Sequence, residues 1–180
     1  MTPSHRHSTG FSLLELMITV AVLAILLGLG VPALTQFIRD NRLTAQTNAL
    51  VGSLNLARGE AAKRGLPVAV CAATVAAEPT CAAAGASDWA NGWLVFTDRT
   101  GDIGKFDADD ELLQVAPAVV EGLTLMSNNI GFARFNPDTR PVTEVAFTVR
   151  PERTSACLRA VAIATTGRIN TSKTPACAQS

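Results

Sequence analysis

The chain has 180 residues, with 15 basic against 15 acidic residues and 48% apolar residues. This length and composition fit one domain, with or without an appendage, and exclude a disordered tail and a histone-like polycation. Aromatic residues make up 5% and tyrosine is absent, which argues against a stacking platform for single-stranded nucleic acid. Both histidines, His5 and His7, precede a long apolar run. We therefore expect no enzyme, no cofactor and no metal site.

A polar leader, residues 1–10, is followed by an apolar run from Phe11 to Val31 that contains one charged residue, Glu15. The run is long enough for a helix that crosses a membrane. A secretory signal has a shorter apolar core with a small-residue cleavage site after it, and no clear site of that kind follows here. Arg6 and the lack of acidic residues before Phe11 predict a single membrane pass with a cytoplasmic amino terminus.

Glu15 is unusual because a carboxylate inside an apolar helix costs roughly 2.5–3.5 kcal/mol on membrane insertion scales. Two explanations remain open. The side chain can reach the membrane interface and stay solvated, or it can pair with a positive charge on another chain. A new amino terminus at Phe11, four residues before Glu15, would supply such a charge on every subunit.

A helical pattern resumes after Pro32. Five apolar residues recur at spacings of seven, four, three and four, on one face of a helix: Leu43, Leu50, Leu54, Ala57 and Ala61. Basic residues and Gly65 predict that the helix ends near Arg64. We expect one helix over residues 11–64, with a transmembrane half, 11–31, and an amphipathic half, 32–64.

Strands are predicted beyond Gly65, because the period of the apolar residues changes from that of a helix to that of a strand. Turn sequences rich in Gly, Pro, Asn and Asp separate the strands. We expect an α+β fold in which the helix packs against an antiparallel β-domain, residues 65–180. The candidate strands are 66–72, 92–97, 112–116, 123–127, 143–150 and 158–165.

The four cysteines form two separated pairs, Cys71 with Cys81 and Cys157 with Cys177. Four cysteines allow three connectivities, and the sequence does not choose among them. An oxidising compartment favours disulfides over metal ligands, and neither pair has the CxxC spacing of a metal site. Local pairing would close loops of roughly ten and twenty residues, each worth on the order of 3 kcal/mol.

The acidic segment 98–111 begins like a calcium-binding loop, with oxygen-bearing side chains at Asp98, Thr100 and Asp102. The pattern then fails, because Ile103 stands where the sharp turn needs glycine and no glutamate completes the loop. A solvated acidic hairpin turn is the favoured interpretation.

Charge is separated along the chain although the net charge is zero. From Asp88 to Glu121 eight acidic and two basic residues give −6, whereas from Arg150 onward five basic residues and one acidic residue give +4. Such polarity can orient a subunit against unlike neighbours or attract a polyanion.

The segment Gly10-Phe11-Ser12-Leu13-Leu14-Glu15-Leu16 resembles the processing site of type IV pilins and of the pseudopilins of type II secretion. The resemblance implies that a prepilin peptidase cuts between Gly10 and Phe11 and methylates the new amino group of Phe11. It also implies that Glu15 pairs with the amino terminus of a neighbouring subunit during assembly.

Later segments resemble the GspH/FimT/FimU group of minor pilins and pseudopilins. The resemblance implies a pilin-like fold with a periplasmic β-domain, and the cysteine pairs favour the pilus branch of the group, with two disulfides. The segments are residues 41–46, 56–61 and 88–98, together with Gly167-Arg168.

The expected function is that of a minor type IV pilin, which acts with other minor pilins and the major pilin in the initiation or tip complex of a pilus. One alternative is a type II secretion pseudopilin. Another is a DNA-binding pilin for natural transformation, in which Arg153, Arg159, Arg168 and Lys173 contact DNA. Some relatives bind DNA through a GRxR motif, but this chain reads Gly167-Arg168-Ile169-Asn170 and lacks the second arginine.

Overall fold

The computed structural model describes residues 12–74, 80–99, 102–128, 130–152 and 158–173, except for the side chains of residues 32 and 33. The chain divides into two compact units, residues 1–39 and 40–180. Most of the first unit is the beginning of a long helix, and the second unit contains the remainder of that helix and all strands.

One helix, α1, runs from Leu13 to Arg64. It begins after Ser12, whose Oγ accepts a hydrogen bond of 3.2 Å from the backbone N–H of Glu15. This is the first half of a capping box, which satisfies an amide that has no partner inside the helix. The helix ends at Gly65, whose φ of 64° lies in the left-handed region that favours glycine. The predicted helix is therefore confirmed.

In the first unit, the described side chains of residues 12–39 are all exposed, although most of them are apolar. A window of this helix has a mean hydropathy of 2.5, so by length and composition it can cross a membrane. A long run of exposed apolar side chains is unfavourable in water and favours an apolar environment, which lipid provides.

The second unit contains two four-stranded antiparallel sheets, with strand orders β3-β2-β1-β5 and β4-β6-β7-β8. The strands are β1 (Val68–Ala72), β2 (Trp93–Thr97), β3 (Leu112–Ala116), β4 (Leu123–Ser127), β5 (Phe132–Phe135), β6 (Val145–Pro151), β7 (Arg159–Ile163) and β8 (Ile169–Lys173).

The core of the second unit lies between α1 and both sheets. The five helix positions expected to face the core are all buried, with exposures of 1% or less, which confirms the predicted face. They join one apolar cluster with Val70 and Val95 of the first sheet and with Leu125, Phe147 and Val161 of the second. The α+β, pilin-like class is thus confirmed, with two sheets in place of the single sheet expected.

Candidate functional site

The amino-terminal processing site is only partly described. Gly10 and Phe11 lie outside the described residues, and their cleavage and methylation stay predictions. Glu15 occupies the first turn of α1 with an exposed side chain, and it belongs to none of the ion pairs among the described residues. A cationic partner for Glu15 must therefore come from outside the described part of the chain.

The first cysteine pair forms a disulfide. Cys71 in β1 and Cys81 are bonded with their Cα atoms 5.5 Å apart, and Cys71 is fully buried. The bond holds the segment after β1 against that strand, where Ala73 and Cys81 also pair through their backbones. Cys157 and Cys177 lie outside the described residues, so the second disulfide stays a prediction.

The acidic segment differs from the expected solvated turn at Asp98. This residue is only 1% exposed, and its Oδ2 lies 2.7 Å from Nε of Arg134 in an ion pair. The backbone N–H of Gly104 donates to the same oxygen at 3.2 Å. Burial raises the pKa of the Asp98 carboxyl, while the Gly104 hydrogen bond and the Arg134 charge oppose that rise. The interpretation of Asp98 as a solvated residue was wrong.

Much of the described remainder of the acidic segment is exposed, and several of its residues pair within the segment. Asp102 pairs with Lys105 at 2.9 Å, and Asp110 accepts hydrogen bonds from the backbone N–H groups of Arg99 and Asp107. These contacts close the hairpin turn. Within the described ranges, no group of three or more His, Cys, Asp or Glu residues is placed to hold a metal ion.

The predicted basic face is divided between the two ends of β8. At one end, Arg159 of β7 donates from Nη2 to Thr44 Oγ1 of α1 at 2.7 Å, and strand register places Lys173 directly opposite Arg159. At the other end, Arg168 follows the turn at Gly167. Arg153 lies outside the described residues.

Arg58 is a basic residue at this site that sequence reasoning did not single out. A Cβ atom at Gly167 would lie 3.5 Å from Nε of Arg58 and would clash with the carbonyl oxygen of Thr139. The helix therefore brings Arg58 to the turn that carries Arg168. Only the fold brings these two residues together, because they are far apart in the sequence.

Ion pairing divides the described cations into two groups. The cations of one group have carboxylate partners within 4 Å: Lys63, Arg64, Arg99, Lys105, Arg134 and Arg140. No carboxylate partner is found in the described ranges for Arg39, Arg42, Arg58, Arg150, Arg159, Arg168 and Lys173. The unpaired cations lie on α1 and on the second sheet.

A helix of membrane length that continues into a core of two antiparallel sheets defines a pilin-like subunit. A family model described as "Type II transport protein GspH" matches residues 46–167, and one described as "Prokaryotic N-terminal methylation motif" matches residues 5–31. The chain belongs to the GspH family, whose members are structural pilin and pseudopilin subunits.

Solved structures confirm the fold. Two crystal forms of the type IV minor pilin FimU from Pseudomonas aeruginosa are similar to this chain, each at 20% sequence identity. Their TM-scores are 0.59 and 0.56; the matches cover 78% and 74% of this chain, and 93% and 94% of FimU. No curated protein matches the sequence.

Proposed function

We propose that this chain is a minor type IV pilin that is cleaved between Gly10 and Phe11, N-methylated at Phe11 and assembled with other minor pilins and the major pilin. It acts at the initiation or tip complex of the pilus. The observation that carries the proposal is the methylation motif at residues 5–31, which leads directly into the exposed apolar helix of a FimU-like fold.

In the proposed mechanism of assembly, a positive charge on one subunit pairs with a negative charge on its neighbour. Prepilin peptidase would create an amino group at Phe11, and the Glu15 carboxylate lies in the first turn of α1 with no partner among the described residues. In a hydrocarbon environment each isolated charge is costly, so pairing between neighbouring subunits favours entry into the filament. Before assembly the subunit would remain in the inner membrane with its amino terminus in the cytoplasm and its second unit in the periplasm.

A type II secretion pseudopilin is the second candidate, favoured by the description of the matched family as a transport protein. The two machines share the membrane helix and the processing step. Gene neighbourhood separates them, because adjacent minor-pilin genes favour the pilus and a secretin-linked export operon favours secretion. Deletion of the gene should then abolish surface pili or protein export, respectively.

Processing gives the most direct test of the proposal. Intact-mass analysis of the protein extracted from membranes should show a chain that begins with N-methyl-Phe11. Cells that lack prepilin peptidase provide the control, since they should yield the chain with its leader. A mature protein that keeps Met1, or that begins after residue 31, would contradict the pilin proposal.

Duplex DNA binding is a third candidate, supported by the position of Arg58 beside Gly167-Arg168. Arg58 could supply the second cation that the GRxR pattern lacks in this chain. Two phosphate contacts would give a slope of about −2 in log affinity against log salt, and Arg168→Ala should flatten the slope by about one. A duplex titration of the full chain at several salt concentrations measures this. Absence of duplex binding at low salt would exclude DNA binding as a function of this chain.

A further inference from the structure

The two sheets of the second unit end in four edge strands, and loops cover two of them. The segment before β2 lies along β4, where the backbone N–H of Trp89 donates to the carbonyl of Leu125 at 3.0 Å. Along β5, the N–H of Val142 donates to the carbonyl of Arg134 at 2.9 Å. Within the described ranges, no backbone hydrogen bond from outside the sheets reaches β3 or β8. We call these two strands the open edges.

The open edges lie on opposite flanks of α1. Ser53 of α1 donates to Oε1 of Gln114 in β3 at 3.0 Å, whereas Thr44 of α1 accepts from Arg159 in β7, the strand beside β8. Thr44 and Ser53 are nine residues apart, or two and a half turns, so they face opposite sides of the helix. The second unit can therefore meet one neighbour through β3 and another through β8.

The open edge at β3 is apolar and has acidic residues beyond both of its ends. Val115 is 57% exposed and Leu112 is 37% exposed. Asp109 precedes β3 by three residues and Glu121 follows it by five. Both are exposed, and neither has an ion-pair partner within the described ranges. An exposed apolar edge strand is a template for pairing with another strand.

The open edge at β8 is polar and has basic residues at both ends. Arg168 directly precedes the strand and Lys173 ends it; both are exposed and lack a carboxylate partner in the described part of the chain. Glu144 shares a shallow pocket with Asn170 of β8, so the two cations leave this edge a surplus of positive charge. Either direction of pairing between β3 and β8 thus brings opposite charges together, whereas two like edges repel each other.

We propose that β3 of one chain pairs with β8 of a second copy, so that a continuous sheet crosses the contact between their second units. The contact uses two different surfaces and is therefore heterologous, so it can repeat from copy to copy. Backbone hydrogen bonds between the strands supply affinity, and the charges select this pairing over pairing of like edges. The inference goes beyond the proposed function, which assembles subunits without saying which surfaces of their second units meet.

Cross-linking between two cysteine variants of the full chain, mixed in neutral detergent, tests the pairing. Val115→Cys adds a thiol to β3, and Thr171→Cys and Ser172→Cys add one to each face of β8. A bis-maleimide that spans about 8 Å reaches residues directly opposite and their diagonal neighbours. Val115→Cys should cross-link to at least one β8 variant, and added salt should lower the yield because it screens exposed charges. The wild-type chain gives the background of the native cysteines.

A matched exposed valine provides the control for position. Val142 is 43% exposed but lies beside the covered edge of β5, so Val142→Cys should give only background yield with the β8 variants. Val115→Cys should also give background yield with itself. Background yield between Val115→Cys and both β8 variants would overturn the proposal, as would an equal yield with Val142→Cys or between two Val115→Cys chains.

Reversal of charge tests how the edges are selected. Arg168→Glu/Lys173→Glu in the β8 partner should lower the cross-linked yield about tenfold, because two exposed attractive pairs become repulsive. Asp109→Lys/Glu121→Lys in the β3 partner should have the same effect, and mixing the two reversed partners should restore the yield. All four residues are exposed, and an unchanged thermal midpoint verifies the fold. A yield that reversal leaves unchanged, or that the reversed pair does not recover, contradicts the proposed contact.

Failure of this inference is distinguishable from failure of the proposed function. A chain that begins with N-methyl-Phe11 but shows no cross-link between β3 and β8 contradicts the edge contact alone. A chain that keeps its leader in cells with prepilin peptidase contradicts the pilin assignment, whatever the cross-linked yield.

Discussion

Replacement of Trp89 by alanine should lower the free energy of unfolding by about 3–5 kcal/mol, the range measured for large aromatic residues removed from cores. Trp89 is fully buried, and its ring meets that of Phe147 edge-to-face with centroids 4.8 Å apart. Its backbone N–H also donates to the carbonyl of Leu125 at 3.0 Å, so the residue fixes the segment before β2 against β4. Urea unfolding of the full chain in detergent, followed by near-ultraviolet circular dichroism, measures the loss.

Trp89→Phe is the matched control. The indole N–H of Trp89 is buried and has no hydrogen-bond partner among the described residues, so phenylalanine loses part of the ring but none of the hydrogen bonds described. It should cost clearly less than alanine because more of the cavity stays filled. If both variants lower the free energy of unfolding equally, or if Trp89→Ala lowers it by under about 1 kcal/mol, the Trp89 ring does not stabilise the core as proposed.

Local patterns in the sequence predicted the helix and most strands. The five buried positions of α1 follow the helical period without any tertiary information, and they are the positions that contact the sheets. Six candidate strands correspond to strands in the structure, with 112–116 and 123–127 identical to β3 and β4. These segments alternate or are continuously apolar, and turn residues bound them.

Two strands, β5 and β8, were not predicted, and each lacks the local apolar pattern by which a strand is recognised in a sequence. β5 has only four residues and carries Arg134, whose charge is accepted there because Asp98 of a distant segment pairs with it. β8 is a polar edge strand with four exposed residues, so it has no apolar alternation. Both strands depend on neighbours that only the folded topology supplies.

The candidate sites also differ in whether a single stretch of sequence contains them or the fold assembles them from distant segments. Gly10, Phe11 and Glu15 form a continuous motif, which a single stretch of sequence displays. Arg58 beside Gly167, and Thr44 beside Arg159, are contacts between the helix and the second sheet. Charge counts along the chain indicated a basic carboxyl-terminal region, but they did not show that α1 brings Arg58 to the turn at Gly167.

Glu15→Ala should abolish most incorporation into filaments while membrane insertion stays normal or improves. The substitution removes a charge that costs roughly 2.5–3.5 kcal/mol in a membrane helix, so it does not hinder insertion. It also removes the carboxylate that, under the proposed mechanism, pairs with the Phe11 amino group of a neighbouring subunit. Quantitative immunoblots of the membrane fraction and of sheared filaments measure the two effects separately.

Glu15→Gln and Glu15→Asp test whether the negative charge of residue 15 is required for incorporation into filaments. Glutamine keeps the size of the side chain and its position after the Ser12 cap but removes the charge, so it should fail in assembly as alanine does. Aspartate keeps the charge on a shorter side chain and should retain part of the incorporation. If Glu15→Gln assembles normally, the carboxylate has no partner between subunits, and its place in the first turn of α1 is explained by solvation at the membrane interface instead.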